Sequence, residues 1–398
     1  MTVVAPERQA RGQQRDEREA RPRRPFIVGT RTVSRTTYDQ TKVLTTSSQA
    51  GTTYECDPNG FLSDLYIEVV GTSTASAAVV FGEDGPFAVL EDISLNDTNN
   101  KPIVGPLSGW DLYILSKYGG YTFNDDSRAD TDNFSTATSG SFAFILRLPV
   151  ELVHRDALGS LPNKSSSATY DLAYRLTAAA AGGTFNNVQN ALPSVRVRIQ
   201  QEGWMDPNPV DTNGNPTAQN PPGVQSTQYW TKQTYTLAFG SVFQRLQSID
   251  SFIRTLVFIW RDSSVASGTG ATSPRGRGDT NHPDPFTLQY ETSQPVNMLR
   301  SIWRRQITEQ YGYIAATGAL AQEAANARDK GVYPLSFARD FGLKVGGESR
   351  FGYLPASAAT TINISGTQGS NGTGPGVLTL LVNKVVPAGG NPLALTGR

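Results

Sequence analysis

The sequence predicts an all-β protein built from two tandem eight-stranded jelly rolls, each with a short helix in a connecting segment. Its 398 residues include 38 glycines and 24 prolines, and only 18% are charged, a profile typical of short strands joined by many turns. Short apolar runs recur in both halves, about eight in each, which is the number that a jelly roll needs. An aromatic helical motif also occurs twice at identical spacing, which indicates a repeated module.

The predicted strands follow runs of β-branched and aromatic residues bounded by turn residues. The clearest run, 194–201 (SVRVRIQQ), alternates apolar and polar residues at period two. The candidate strands with the clearest bounds are 32–45, 61–70, 87–95, 141–153, 168–177, 194–201, 230–239, 252–260, 285–290, 333–341, 353–365 and 377–386. The turn residues 97–101 are also expected to fold 93–95 back toward a strand at 103–104. An immunoglobulin-like sandwich is the alternative fold, disfavoured by the missing cysteine pair and by the helices.

The repeated motif predicts an amphipathic helix in each half of the chain. In the first half, Ser108 is the predicted N-cap, Asp111 completes a capping box, and Gly119 ends the helix. The apolar members recur every fourth residue, so we expect them to share one helix face that packs on a sheet. These scaffold residues are Trp110, Ile114, Tyr118, Trp303, Ile307 and Tyr311. The alanine-rich segment 317–328 predicts a further helix.

Changes in composition predict five segments. Residues 1–29 form an arginine-rich arm, 30–204 the first jelly roll, 205–228 a linker or loop, 229–386 the second jelly roll, and 387–398 a tail. The linker holds five prolines and shows no periodicity, which is typical of a connection between domains.

The N-terminal arm is polar and rich in arginine. Its arginines are Arg8, Arg11, Arg15, Arg18, Arg21, Arg23 and Arg24, and four acidic residues lie among them. Such a segment buries too little apolar surface to fold alone. Two interpretations stay open: an arm that docks on a neighbouring subunit, an anionic membrane or nucleic acid, and a solvated tail.

The sequence gives no positive sign of an enzyme. Its formal net charge is zero, so no sequence-specific nucleic-acid partner is predicted. The single cysteine, Cys56, cannot form an intrachain disulfide, and the two histidines, His154 and His282, are isolated in sequence. Nucleophile-elbow and phosphate-loop motifs are absent from the sequence, so no catalytic residue, cofactor or metal is predicted.

Two loops carry weaker motifs. The segment 124–133 clusters Asp125, Asp126, Asp130 and Asp132, but its spacing fits no calcium loop, and a solvated acidic loop is the preferred interpretation. Residues Arg277, Gly278 and Asp279 form an RGD tripeptide in a glycine-rich loop, which resembles the integrin-binding motif of adhesive proteins.

The segment DGPFAVLEDISLND…KPI…GWDLYILSKYGGY, within 84–121, resembles the first-barrel signature of double jelly-roll major capsid proteins. The resemblance is to tailless, membrane-containing icosahedral double-stranded DNA phages of the tectivirus type, and it spans residues from about 30 to 386. It implies a homotrimer whose six barrels form a pseudo-hexagonal capsomer, made in the host cytoplasm and located in the virion shell. It also implies penton, minor capsid and neighbouring capsomer proteins as partners.

The same resemblance implies an orientation for the chain in the shell. The loops 205–228 and 263–285 are expected to project outward or to contact other subunits, and the arm is expected to face inward, toward the membrane. Two other functions stay open. A phage fibre or adhesin would use the RGD tripeptide, and a cupin-like enzyme would need clustered histidines that the sequence lacks.

Overall fold

The structure is a computed structural model. It describes residues 25–45, 47–72, 84–119, 133–134, 141–154, 157–177, 193–208, 210, 214, 226–237, 240–247, 250–261, 282–311, 330–338, 352–356, 360–368 and 376–387.

The described residues form short strands and a few helices. The helices are α1 (Phe26–Gly29), α2 (Gly109–Tyr118) and α3 (Arg300–Tyr311), with a 3-10 helix at Phe87–Val89. In the first half the strands are β1 (Thr32–Val43), β2 (Gln49–Ala50), β3 (Tyr54–Glu55), β4 (Phe61–Thr72), β5 (Leu90–Asn96), β6 (Pro102–Leu107), β7 (Asn133–Phe134), β8 (Phe142–Pro149), β9 (Leu161–Pro162), β10 (Asp171–Leu176) and β11 (Ser194–Trp204). In the second half they are β12 (Ser226–Thr236), β13 (Ser241–Arg245), β14 (Ser251–Arg261), β15 (Phe286–Tyr290), β16 (Ser293–Met298), β17 (Val332–Ser336), β18 (Leu354–Ala356), β19 (Ile362–Thr367) and β20 (Val377–Pro387).

The first half of the chain is a jelly roll, called barrel 1. One of its sheets, sheet 1, has the order β1-β11-β4-β8-β7, with β9 added beside β4. The facing strands have the order β6-β5-β10, with β2 and β3 beside β10. In the usual lettering of jelly-roll strands from B to I, these orders are B-I-D-G and F-E-H-C. Helix α2 lies in the connection from strand F to strand G.

The second half repeats this topology as barrel 2. The order β12-β20-β14-β17 is again B-I-D-G, and the order β13-β19-β15-β16 is again C-H-E-F and forms a separate sheet, called sheet 3. Helix α3 again lies between strands F and G. Because both halves have the same strand order and the same helical insertion, the predicted tandem jelly rolls are confirmed.

The two barrels share one sheet. Strand β6 of barrel 1 pairs in parallel with β12 of barrel 2 through Val104 and Trp230. A ten-stranded sheet therefore runs from the F-E-H-C strands of barrel 1 into the B-I-D-G strands of barrel 2. Trp230 is fully buried, and one continuous apolar core extends through both barrels.

Alternation along the strands separates core from surface. On β4 the side chains of Leu65, Ile67 and Val69 are buried in the core of barrel 1, whereas Tyr66 and Glu68 point away from it. Strand β14 differs, because its residues 253–260 are all buried. Both faces of this strand are therefore covered, one by the core of barrel 2 and the other at the contact with barrel 1.

Most of the predicted strands are confirmed, with shifted ends. The range 87–95 divides into the 3-10 helix and β5, and 353–365 contains two separate strands, β18 and β19. Strands β2, β3, β7, β9, β13 and β16 were not predicted. The predicted helix 317–328 lies outside the described residues.

Elements of the fold extend into three of the predicted flanking segments. Strand β12 begins at Ser226, inside the predicted linker 205–228, and β20 continues to Pro387, the first residue of the predicted tail, because these two residues are partners in the ladder. Residues 26–29 of the predicted arm form helix α1, whose Phe26 is buried.

Candidate assembly surfaces

The described residues hold no obvious reaction centre. No group of three or more histidine, cysteine, aspartate or glutamate side chains in the described ranges could hold a metal ion. A search of the same residues finds no helix with the length and apolar character of a membrane span. His154 and His282 lie in different barrels: His154 bonds to Glu151 in barrel 1, and His282 packs against Tyr333 in barrel 2.

His282 is buried in the core of barrel 2. Its ring lies 4.2 Å from that of Tyr333 and 5.3 Å from that of Trp260, measured between centroids, and Trp303 and Phe286 complete the aromatic surroundings. Burial, with a smaller contribution from the Arg300 charge, lowers the pKa of His282 to about 3. This histidine is therefore neutral at physiological pH and acts as a packing residue.

The predicted scaffold helices both pack on their own barrels. The six scaffold side chains, Trp110, Ile114, Tyr118, Trp303, Ile307 and Tyr311, are all buried. The capping box predicted for α2 is present: Asp111 N–H donates to Ser108 Oγ at 3.1 Å, and Ser108 N–H donates to Asp111 Oδ2 at 2.9 Å.

The two helices differ in how much of their surface is covered. Every residue of α2 is buried, whereas α3 buries only Trp303, Ile307 and Tyr311. Ile302 on α3 is 51% exposed, and Leu299, the residue before the helix, is 52% exposed. Equivalent elements of the two barrels thus have different environments: α2 lies between the barrels, and α3 presents a free face.

The contact between the barrels, called the barrel junction, is polar at its rim. On barrel 2, Lys232 forms an ion pair with Asp111 of α2. Arg261 of β14 forms an ion pair with Asp84 at 2.8 Å and lies 5.2 Å above the ring of Trp110. Basic groups of barrel 2 thus hold the acidic and aromatic groups around helix α2.

The C-terminal end of α2 is held by a buried arginine. Arg254 of β14 is fully buried and donates from Nη1 to the carbonyl oxygen of Gly119 at 2.6 Å. A helix C-terminus carries partial negative charge and unsatisfied carbonyl groups, so a guanidinium is a suitable partner there. Both ends of α2 are therefore bound by cationic residues of barrel 2.

The corresponding surface of barrel 1 is open. The outer face of sheet 1 consists of the side chains that point away from the barrel 1 core: Ser34, Thr36, Asp39, Asp64, Tyr66, Glu68, Ile145, Arg147, Arg196, Arg198, Gln200 and Glu202. Two adjacent clefts, of about 580 Å³ and 220 Å³, lie on this face and share Tyr66, Ile145 and Gln200.

Ion pairs across neighbouring strands cover this outer face. Arg196 pairs with Asp39 and Arg198 with Glu68. Because these pairs are half-exposed, solvent screens their charges and each contributes little to the stability of the fold. Their main effect is to make this sheet face charged and polar.

The larger cleft is lined by an ion pair between Arg147 and the buried Asp64. Arg147 donates to both carboxylate oxygens of Asp64, at 3.0 and 2.9 Å. Burial raises the pKa of Asp64 to about 6, although the Arg147 charge acts in the opposite direction. Asp64 is thus an acidic group that titrates close to neutral pH.

Glu151 links the cleft to the start of the chain. It accepts from Trp204 Nε1 at 2.6 Å and bonds to His154 Nδ1 at 2.8 Å, and this hydrogen bond raises the pKa of His154. The ring of Trp204 in turn contacts Phe26 of α1, at 6.4 Å between centroids. The position of Phe26, where the arm joins barrel 1, is therefore fixed beside the cleft.

The remaining predicted site residues cannot be placed. Arginines 8, 11, 15, 18, 21, 23 and 24 of the arm, the RGD residues Arg277, Gly278 and Asp279, and the acidic residues 125, 126, 130 and 132 lie outside the described residues.

Comparison with solved structures finds likeness along almost the whole chain. The crystal structure of the major capsid protein of STIV matches with a TM-score of 0.56 at 12% identity, covering 89% of this chain and 96% of that chain. The atomic structure of Sulfolobus turreted icosahedral virus gives a TM-score of 0.56 at 12% identity, covering 88% and 90% of the two chains. The PBCV-1 virus capsid gives 0.55 at 15% identity, covering 91% and 96%.

The chain has the double jelly-roll fold. No protein-family model matches the sequence, and no curated protein matches it. The double jelly-roll fold is shared with major capsid proteins of these viruses.

Sequence analysis missed the residues of the barrel junction. Arg254 and Arg261 occur in an otherwise apolar run, FIRTLVFIWR, and this is the one local signal that could have drawn attention to them. Lys232 and Asp84 carry no such signal, because their partners are distant in sequence and depend on how the barrels meet.

Proposed function

We propose that this chain is the major capsid protein of an icosahedral virus, a structural building block of the shell. One observation carries the proposal: both barrels together match a capsid protein over 89% of this chain and 96% of that chain. A single jelly roll serves many functions. A tandem pair in one chain, with a helix between strands F and G of each barrel, is a more specific architecture, and it is the one that the matching capsid proteins share.

We propose further that the protein assembles as a homotrimer. Three chains with two similar barrels each would supply six barrels, which suits a pseudo-hexagonal capsomer. The charged outer face of sheet 1 supports this, because it keeps the separate chain soluble and can still form a polar interface.

The arm is proposed to act on the inner side of the shell. Its seven arginines would bind anionic lipid headgroups of an internal membrane or acidic surfaces of neighbouring capsomers. Helix α1 supports this role, since Phe26 packs on Phe61 at 5.2 Å between centroids and so fixes where the arm begins. Penton and minor capsid proteins are the other proposed partners.

The proposed location is the virion, after synthesis in the host cytoplasm, and a tailless, membrane-containing phage of the tectivirus type is the proposed source. A shell protein needs no catalytic centre, and we propose a structural role without a reaction. The fibre or adhesin alternative is not favoured by the solved structures that share the fold.

Light scattering after size-exclusion chromatography tests the proposal. The expected particle has three times the 42.9 kDa mass of the chain, with a hexagonal outline in negative-stain images. A chain that stays monomeric at high concentration would contradict the capsid role. Deletion of residues 1–25 should leave the trimer intact and impair shell assembly, because the arm is proposed to act between capsomers.

A further inference from the structure

We propose that the protonation state of His154 controls how firmly helix α1, and with it the start of the arm, is held on barrel 1. The proton on His154 is connected to the helix through four side chains, called the arm anchor: His154, Glu151, Trp204 and Phe26. This inference goes beyond the proposed capsid role, because it concerns contacts within one chain. It assigns a pH-sensitive attachment to the place where the arm meets barrel 1.

Glu151 is the fixed centre of the arm anchor. Its side chain is buried, and its backbone is bound on both sides: the N–H donates to the carbonyl oxygen of Ser63 at 2.8 Å, and the carbonyl oxygen accepts from Gln228 Nε2 at 2.9 Å. One carboxylate oxygen bonds to His154 Nδ1 at 2.8 Å, and the other accepts from Trp204 Nε1 at 2.6 Å. The carboxylate therefore joins the ring that titrates to the tryptophan from a fixed position.

Helix α1 depends on Trp204 for its attachment. It has four residues, no side-chain cap and one buried side chain, Phe26. Phe26 lies in a small apolar cluster with Phe61, Ala157 and Trp204, separate from the main core. Its ring centroid is 5.2 Å from that of Phe61 and 6.4 Å from that of Trp204. Segments with so few buried apolar contacts open locally at a low free-energy cost, so displacement of Trp204 is expected to release α1 without unfolding barrel 1.

The chain is fixed again directly after α1. Met205 N–H donates to the carbonyl oxygen of Arg31 at 2.8 Å, and Thr30 Oγ1 donates to the carbonyl oxygen of Met205. Strand β1 then pairs with β11 over its whole length, from Thr32 to Val43. Opening of the arm anchor therefore frees α1 and the arm but leaves sheet 1 intact.

The proton on His154 strengthens the bond to Glu151. The side chain of His154 is half-exposed and exchanges protons with solvent. The Glu151 hydrogen bond raises the pKa of His154, and burial only partly opposes this. The protonated form therefore stabilises the folded chain at low pH, and this contribution is lost as pH rises through the raised pKa, above the ordinary histidine value of 6.5. A charge-assisted hydrogen bond of this kind is roughly twice as strong as a neutral one.

Loss of the proton leaves Glu151 as a buried carboxylate whose donors among the described residues are neutral. These donors are Trp204 Nε1 and, in the neutral ring, His154 Nδ1. Burial of a charge without a counter-charge is unfavourable. The carboxylate is therefore expected to turn toward water, and Trp204 then loses the acceptor that holds its ring beside Phe26.

The other titratable groups that face His154 come from three strands. Asp64 of β4 and Arg147 of β8 form an ion pair beside it, and both charges act on its pKa. From β11, Glu202 lines the same cleft. Tyr66 of β4 also lines the cleft, and burial raises its pKa, so it stays neutral at physiological pH. Helix α1 itself carries no charged residue.

Rising pH reverses the net charge around Glu151. Burial raises the pKa of Asp64 to about 6, so Asp64 ionises as His154 begins to lose its proton. At low pH, the positive charges of Arg147 and His154 outnumber the negative charge of Glu151 by one. At high pH, the negative charges of Asp64 and Glu151 outnumber the positive charge of Arg147 by one. Both protonation changes therefore favour release of α1 as pH rises.

Spin labelling of α1 tests the arm anchor in the full chain. The variant Val28→Cys carries a nitroxide label on the helix without disturbing its packing, since Val28 is 65% exposed. Native Cys56 is fully buried, and burial raises its pKa to about 12, so it stays unreactive. Between pH 5 and pH 8 the ratio of mobile to immobile label in the electron paramagnetic resonance spectrum should rise about fivefold or more, because a charge-assisted hydrogen bond is lost. A label with the same mobility at both pH values overturns the inference.

Two substitutions in the labelled chain separate the charge of His154 from its bulk. His154→Gln keeps a hydrogen-bond donor without a charge, so the label should already be mobile at pH 5. His154→Lys carries a positive charge at both pH values, so the label should be less mobile at pH 8 than in the chain with histidine. Because His154 is half-exposed, both variants should fold. A His154→Gln variant with an unchanged pH profile would show that this histidine does not control α1.

The matched control is a label at Val43→Cys. Val43 is 66% exposed and lies at the end of β1 that is far from α1. Its label should have the same mobility at pH 5 and pH 8, and an equal change at both positions would mean a general loosening of the fold and contradict the inference. Light scattering of the unlabelled chain tests the homotrimer separately. A monomeric chain whose α1 label responds to pH contradicts the assembly proposal and supports the arm anchor.

Discussion

Tyr118 and Tyr311, which occupy equivalent positions at the ends of helices α2 and α3, contact each other. Their ring centroids are 5.1 Å apart with an interplanar angle of 79°, and Tyr311 Oη donates to the carbonyl oxygen of Tyr118 at 3.2 Å. A pair of residues that the sequence repeats thus joins the two modules in space. The contact shows that the modules are packed together through the same helices that mark the repeat.

The Tyr118–Tyr311 contact predicts coupling between the barrels. Each single change, Tyr118→Leu or Tyr311→Leu, should lower the free energy of unfolding by about 1–3 kcal/mol, because a buried ring contact is lost. The double variant should lose less than the sum, with a coupling of about 0.5–1.5 kcal/mol. Urea unfolding of the four proteins measures this.

The control for this cycle pairs Tyr311→Leu with Tyr38→Leu. The ring of Tyr38 contacts Tyr54 and Tyr174 in barrel 1. These two changes should add, since the residues have no contact in common among those described. Additive effects of the Tyr118 and Tyr311 changes would contradict the prediction.

Arg254 gives a prediction about the barrel junction. Arg254→Met should lower the free energy of unfolding by about 1–3 kcal/mol, because the Gly119 carbonyl at the end of α2 loses a buried donor. The unfolding transition, followed by tryptophan fluorescence, should shift to lower urea concentration. Arg245→Met is the matched control, since Arg245 is an exposed arginine on β13 and its loss should be almost neutral. Similar losses from both variants would show that the junction does not depend on Arg254.

Local signals account for the elements that sequence reasoning found. Helix α2 was predicted with its observed ends, because Ser108 and Asp111 form the capping box within the helix itself. Strands β4, β8 and β11 carry strong alternation. By contrast β16 (SQPVNM) is a short, polar edge strand with a proline, so alternation is weak and it was missed.

The contacts that sequence reasoning could not predict join segments that are distant in the chain. The shared sheet depends on Val104 meeting Trp230, and no local pattern predicts a parallel pair between separate domains. The Asp64–Arg147 pair likewise requires the register between β4 and β8. The repeated motif predicted two modules but not how one module covers the other.

Asp64 predicts how stability changes with pH near the cleft. Burial raises its pKa to about 6 in the folded chain, above the ordinary aspartate value of 3.8, so the folded state binds the proton more tightly between these two pH values. The contribution of Asp64 to stability is therefore full below about pH 4 and is lost as pH rises through 6. The loss is about 3 kcal/mol.

The variant Asp64→Asn should remove this dependence while keeping the shape of the side chain. Relative to wild type, it should become more stable as pH rises from 4 to 7, as measured by urea unfolding at each pH. Asp206→Asn, at an exposed aspartate that pairs with Lys164, is the control for loss of a carboxylate outside the cleft. A wild type that gains on Asp64→Asn with rising pH would show that the Arg147 charge outweighs burial.

His282 predicts the opposite dependence in barrel 2. Burial lowers its pKa to about 3 in the folded chain, below the ordinary histidine value of 6.5, because protonation would place a charge among buried aromatic rings. The unfolded chain therefore binds the proton first, and stability falls as pH drops below 6.5.

Replacing the ring with an uncharged one, His282→Phe, should reduce this loss. Between pH 7 and pH 5 the variant should gain about 2 kcal/mol relative to wild type in urea unfolding. His154→Phe is the control, because the Glu151 hydrogen bond raises the pKa of His154, and its removal should cost stability most at low pH. A pH profile of His282→Phe parallel to that of wild type would mean that His282 is protonated in the folded core.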